Sequence, residues 1–149
     1  MQTTAVGAEA VRPLRAEVLR PGQPREQLIF PGDEEPDTLH AAVAMAGRIV
    51  GVASVMREPY PRDQHAGDWR IRGMATSAEL RGGGIGSALL ARCEEHARDH
   101  AGARLWCNAR VRARTLYERA GFAVDGDVFE IAMVGPHYLM RKPLCDQRG

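Results

Sequence analysis

Six consecutive residues, Arg81-Gly82-Gly83-Gly84-Ile85-Gly86, stand just before a stretch with the periodicity of an amphipathic helix. Glycines in that place let a ligand come close to the backbone, and the first N–H groups of the helix point at it. The positive end of the helix dipole adds to those donors, so such a loop suits phosphate. Two phosphate loops can be tested on the residues themselves. A Walker loop ends in Gly-Lys-Ser/Thr, and this stretch holds no lysine; a dinucleotide fingerprint needs glycine where Ser87 or Leu89 stands. What remains is Arg-x-x-Gly-x-Gly, made by Arg81, Gly84 and Gly86, with Ser87 next. As a bare pattern it serves equally as a tight turn.

Other residues with chemical potential are scattered. Cys93, His96 and His100 recur at metal-ligand spacing on one helix, but no fourth ligand is near and no metal is expected. Arg110, Arg112 and Arg114 form a basic run that suits either a phosphate or a solvated helix face. By spacing alone Tyr117 is a core residue, in register with Ala113, Leu116 and Ala120. Asn108 reads as the cap of the helix that follows it. Cys93, Cys107 and Cys145 are odd in number and irregularly spaced, unlike a disulfide framework.

The elements that must position these groups alternate along the chain. Val11, Leu14 and Val18 share a helical face that ends at Pro21-Gly22, and a loop with four prolines and the acids Asp33, Glu34, Glu35 and Asp37 follows. Leu39–Ala46 and Ile49–Met56 form a hairpin about Gly47-Arg48, and Trp69–Thr76 is a strand. A long helix runs from Gly84 to His100 with Ile85, Leu89, Cys93 and Ala97 inward. Arg104–Ala109 is a strand and Val111–Ala120 a helix closed by Gly121. Phe122–Val134 and Tyr138–Leu144 read as two more strands around Gly135-Pro136. That order predicts an α/β (α+β) fold, a mixed sheet flanked by helices.

Composition bounds the function. The 149 residues, 44% hydrophobic and 26% charged, suit one folded domain, residues 1–149. A net charge of +1 and 5% aromatics argue against a nucleic-acid partner. No uncharged run approaches the roughly 18 residues of a membrane span. Charges at Glu9, Arg12, Arg15, Glu17 and Arg20 leave no signal-peptide core, so a cytoplasmic location is expected.

Read with its flanks, the glycine loop resembles the coenzyme A pyrophosphate loop of the GNAT superfamily of N-acetyltransferases. Three blocks carry the resemblance, in the usual order: Ile71-Arg-Gly-Met-Ala-Thr-Ser-Ala-Glu-Leu-Arg81 like the family's fourth strand and turn, Leu105-Trp-Cys-Asn108 like its fifth strand, and Leu116-Tyr-Glu-Arg-Ala-Gly-Phe122 like its closing helix. The resemblance implies a mostly antiparallel sheet whose central strands splay apart around the pantetheine arm. It implies acetyl-CoA as co-substrate and direct transfer to a primary amine, with no metal. It assigns cofactor binding to Met74, Ala75, Thr76, Arg81, Gly82, Gly83, Gly84, Ile85, Gly86, Ser87 and Asn108, and the role of acid to Tyr117. Several relatives carry a glutamate base on the fourth strand, where this chain has Arg70 and Arg72; His137, Glu34, Glu35 or water stand as alternatives. The partners implied are a small-molecule or peptide amine and no membrane, with a homodimer left open. Two rivals stand beside this reading: a non-catalytic acyl-CoA sensor and a nucleic-acid module on the arginine helix. Arg70 and Arg72 favour a carboxylate-bearing acceptor if they face the site, whereas the acidic loop favours a cation.

Overall fold

A computed structural model describes residues 1–144, the Arg25 side chain excepted, so Cys145 lies outside the described residues. Eight strands form one sheet: β1 (Thr4–Val6), β2 (Leu39–Met45), β3 (Arg48–Arg57), β4 (Asp68–Thr76), β5 (Arg104–Arg110), β6 (Ala123–Val124), β7 (Phe129–Ile131) and β8 (Gly135–Pro143). The order is β1-β2-β3-β4-β5-β8-β6, with β7 also on β8. Every pairing is antiparallel except β4 with β5.

Three α-helices flank the sheet: α1 (Ala8–Leu14), α2 (Ile85–Asp99) and α3 (Arg114–Arg119). Helix α2 lays Ile85, Leu89, Leu90, Cys93 and Ala97 on Val50, Ala53, Val55 and Ile71, joined by Tyr117 and Phe122. Helix α1 covers the opposite face, with Val11 and Leu14 against Ala42, Val52 and Ala75. Strand β3, buried on both faces, is therefore apolar along nearly its whole length.

Several elements differ from the expected ones. Strand β1 is too short and exposed to leave an alternating pattern. The first helix changes into a π-helical turn at Arg15–Leu19, which rotates Arg15 into the interior. There Arg15 donates to both Asp33 oxygens (2.8 and 3.1 Å), to the Leu28 carbonyl (2.8 Å) and to Ser54 Oγ (3.0 Å). Arg15, which the sequence offered only as one of the charges interrupting the N-terminal stretch, is thus the buried stitch between α1, the proline loop and β3.

Residues 111–120 split into a 3₁₀ turn (Val111–Ala113) and the short α3. The segment 122–134 is cut in two at Gly126, whose φ is +91°. Gly135-Pro136 opens β8 instead of turning the chain, because proline is tolerated at a strand's first positions.

Among the described residues no helix is long and apolar enough to cross a membrane.

Candidate active site

Strands β4 and β5 pair only at Asp68–Arg104, Trp69–Leu105 and Arg70–Trp106. Beyond that the strands part, and Ile71–Thr76 faces Cys107–Arg110 across a gap. A bulge in β4 opposite Val52–Ser54 helps turn the strand away. Its bend sits at Gly73, with φ +71°, where a Cβ would lie 2.9 Å from Arg15 Nε and 3.2 Å from Phe30. The gap opens into a cleft of about 590 Å³, a volume suited to a small ligand.

One wall is backbone. The Ser77 amide donates to the Val50 carbonyl (2.9 Å), so by antiparallel alternation the Thr76 peptide groups point the other way, into the gap. Met74, two residues earlier, shares that edge. Ala75 pairs with Val52 and packs its side chain under α1, so it supports this wall from behind.

At one end of the cleft the glycine loop enters α2. Gly82 and Gly84 have φ of +85° and +90°, and a Cβ on either would meet nothing within 4 Å. Gly84 is the N-cap of α2 and no side chain caps the helix, so the first-turn N–H groups of Ile85, Gly86 and Ser87 are open to an anion. This bare concavity, which side chains avoid although space exists, fits a pyrophosphate held by backbone donors. Gly86 serves packing instead, since a Cβ there would lie 3.1 Å from Leu116 and hold α2 and α3 apart.

Asn108, Tyr117 and His137 line the same cleft. Tyr117 is buried edge-on to Phe122 at 5.4 Å, and burial raises its phenol well above the ordinary value, with the Cys107 and Cys93 thiols adding to the shift. It therefore holds its proton at neutral pH. His137 is buried with Nδ1 at 2.7 Å from the Gly135 carbonyl. A carbonyl only accepts, so Nδ1 carries the hydrogen and the neutral ring presents an Nε2 lone pair. Burial is the largest influence on His137 and lowers its proton affinity, with Arg110 and Arg20 pushing the same way against the Gly135 carbonyl.

The other two candidate bases stand elsewhere. Glu34 is exposed and pairs with Arg12 at 3.2 Å, and neither it nor Glu35 lines the cleft. The acidic loop is spent on arginines: Asp33 on Arg15, Asp37 on Arg57. His96 and His100 are also committed, one to the Asp37 carbonyl (2.7 Å) and the other to the His96 carbonyl (2.8 Å). Buried Cys93 has its thiol pushed up to about 12, and Cys107 is raised further by burial, so neither is a ready nucleophile.

Charge sets the cleft apart from the rest of the molecule. Among the described residues, every arginine side chain without a carboxylate partner lines it: Arg20, Arg72, Arg81, Arg110, Arg112 and Arg119. No described aspartate or glutamate does. Arg70 also lines the cleft but pairs with Glu58 at 3.0 Å, and Arg114 of the basic run turns outward to Glu118. The parts of this site that the sequence reading missed are Arg20, Phe30 and Arg119. Their only signals were an arginine just before Pro21-Gly22, a lone aromatic in a proline loop and an arginine inside the Leu116–Phe122 block.

Comparison with known proteins agrees with this geometry. The acetyltransferase (GNAT) domain model matches residues 3–142. The uncharacterized N-acetyltransferase YitI of Bacillus subtilis (strain 168) is 29% identical over 148 residues, covering 99% of both chains. In fold the chain is similar to an aminoglycoside 6'-N-acetyltransferase solved with coenzyme A, with TM-score 0.76 and 14% identity over 99% of each chain. It is similar too to Escherichia coli ElaA, with TM-score 0.76 and 20% identity over 95% of this chain and 98% of that one. With residues 3–142 spanned by the family model, a sheet parted at β4 and β5 and a glycine loop at the mouth of the gap, the chain belongs to the GNAT acetyltransferases and is an N-acetyltransferase.

Proposed function

We propose that the enzyme transfers an acetyl group directly from acetyl-CoA to a primary amine within the β4–β5 cleft. The observation that carries this reading is the convergence of three things on one cavity: an unpaired strand edge, an uncapped helix start lined by glycine, and the pair Tyr117 and His137.

The backbone of Gly82 to Ser87 holds the pyrophosphate, with the exposed guanidiniums of Arg81, Arg112 and Arg119 beside it. The free edge at Met74 and Thr76 and the Asn108 side chain take the pantetheine arm, as an added strand would be taken. Acetyl-CoA brings an activated thioester, so this chain's work is to orient and to move protons. His137 Nε2 accepts a proton from the attacking amine as nitrogen bonds to the acetyl carbon. Tyr117 donates its proton to the sulfur as the carbon–sulfur bond breaks. No enzyme nucleophile is required, in keeping with buried, protonated Cys93 and Cys107.

A thermal-shift titration with acetyl-CoA tests the cofactor half of this assignment. The native protein is expected to rise in melting temperature, and Gly84→Asp, its own melting point lowered by the strain of a side chain at φ +90°, to lose that response. The new charge sits where phosphate must lie. A variant that keeps the full shift removes the loop from the site. Free coenzyme A release with a primary amine, absent with its tertiary analogue, tests the transfer half.

A further inference from the structure

The six unpaired arginines of the cleft are of two kinds. Arg81, Arg112 and Arg119 are exposed, whereas Arg20, Arg72 and Arg110 are half-buried, with Arg110 between the two sets and within electrostatic reach of both Arg20 and Arg81. Arg72 pairs with Ser54 and Thr76 with Gly51, so across the bulge the two stand about 10 Å apart along the strand, and the phosphate loop begins further on. The donor's phosphates are at the loop and its thioester end is neutral. Arg72 and Arg20, grouped with Arg15 and Arg70 and not with Arg81, therefore face a part of the cleft where acetyl-CoA brings no charge for them to meet.

Their surroundings leave them poised for an anion. Arg72 lies 4.3 Å above the Phe30 ring, with no hydrogen bond or ion pair among the described residues. Its edges are therefore free while its face is fixed. Arg20 stands over the same ring at 5.7 Å, and its buried Nε has no partner. The third guanidinium on Phe30, Arg15 at 4.0 Å, is already neutralised by Asp33. Glu58, the acid that most eases Arg72, is held by Arg70. Arg110 reaches the Leu19 carbonyl at 2.7 Å and stands cross-strand from His137. Half-buried cations without counter-ions are costly, and burial with Arg70, Arg20 and Arg15 nearby holds Arg72 down to about 10. Val18, Leu19, Ile131 and Val134 complete this end with apolar surface.

From this arrangement we infer that the acceptor is an amine that also carries a carboxylate, an α-amino acid with an apolar side chain, its carboxylate held by Arg72 and Arg20. The planar guanidinium stacked on Phe30 matches a carboxylate edge-on, in two parallel hydrogen bonds. The amine then lies on the His137 side, next to Arg110. A polycationic acceptor would meet uncompensated like charge with no acid in the cleft to receive it. The inference rests on the acetyltransferase reading of this cleft and narrows its acceptor.

The test pairs each amino acid with its carboxamide, leucine with leucinamide and phenylalanine with phenylalaninamide, and adds spermidine, kanamycin and O-phosphoethanolamine. Release of coenzyme A is followed with each, and acetyl-CoA binding is measured in parallel by thermal shift. The acid is expected to exceed its carboxamide about ten- to a hundredfold in kcat/KM, the loss of a charge-assisted hydrogen-bonded pair. The carboxamide's amine is the less basic, so ionisation alone would favour the carboxamide. Arg72→Gln and Arg20→Gln are each expected to raise KM for the acid and collapse the ratio toward one, with the acetyl-CoA shift unchanged. Preference for the carboxamide, a polycation or the phosphate ester overturns the inference. So does an acetyl-CoA-binding protein that acetylates none of the amino acids. Failure to bind acetyl-CoA at all overturns the reading beneath it instead.

Discussion

Tyr117 carries a packing role in the core and the acid role proposed for it in the cleft. Its ring packs edge-on to Phe122 in the main core, and the residue also lines the cleft. The register with Ala113, Leu116 and Ala120 pointed only to packing; the proposed acid role comes from the L-Y-x-x-x-G-F block, because helical spacing cannot tell a buried phenol from a buried phenyl. Tyr117→Phe keeps the ring and should lower kcat about ten- to a hundredfold while leaving acetyl-CoA affinity nearly unchanged, read from steady-state kinetics where chemistry limits turnover. Native kcat in that variant would return Tyr117 to packing alone. His137 makes a complementary claim on pH. A base must be unprotonated, and burial lowers the His137 proton affinity, so the acidic limb of kcat should lie below the ordinary histidine value near 6.5. His137→Gln should erase that limb. A limb that persists in the variant belongs to another group. The sequence left His137 level with Glu34 and Glu35, because the side of the molecule each occupies is set by β8 and the proline loop, which have no local signature.

At the scale of elements, the seating of α2 on the sheet decides where the glycine loop, the proposed phosphate cradle, lies. Gly51 of β3 lies under the helix start, and a Cβ there would be 2.3 Å from Ile85 Cγ2 and 3.2 Å from Leu89 Cδ1. Ile85 is β-branched, stiff and buried, so it cannot swing aside. Gly51→Ala should therefore cost about 1–3 kcal/mol by overpacking and, by lifting the first turn of α2, weaken acetyl-CoA several-fold. Chemical denaturation and a binding titration check the two parts, and an unchanged protein would mean α2 is free to shift. Long periodic elements such as α2 and the β2–β3 hairpin were legible in the residues themselves. The π turn at Arg15–Leu19, the break at Gly126 and the early start of β8 were not, since each depends on a tertiary partner or a single positive φ. The parting of β4 from β5 was foreseen only through family resemblance, for nothing in either strand announces where pairing stops.

For the whole molecule, two buried carboxylates govern the response to acid. Asp33 receives Arg15 and the Phe30 amide, and Asp68 receives Arg104 and the amides of Tyr60 and His65. Burial alone would raise both, yet these donors outweigh it and hold both below the ordinary carboxylate value. A carboxyl lowered on folding binds protons more readily when unfolded. Its stabilisation is thus complete above the unfolded value near 4 and is lost as pH falls through the folded one. Melting temperature should hold steady from neutral pH to about 5 and drop steeply below 4. Asp33→Asn strands Arg15, should cost about 3–5 kcal/mol at neutral pH, and should flatten that acid slope; an unaltered slope would acquit Asp33. The sheet carries a consequence of another order. Strands β1 to β4 and strands β5 to β8 are two plates, clasped along their seam at three residue pairs and prised apart beyond them. A guest that lay in the open seam and bonded to both sides of it, as proposed for the pantetheine arm, would work as a removable rung that turns two hinged plates into one beam. Each turnover would then alternately stiffen and relax the enzyme's own spine.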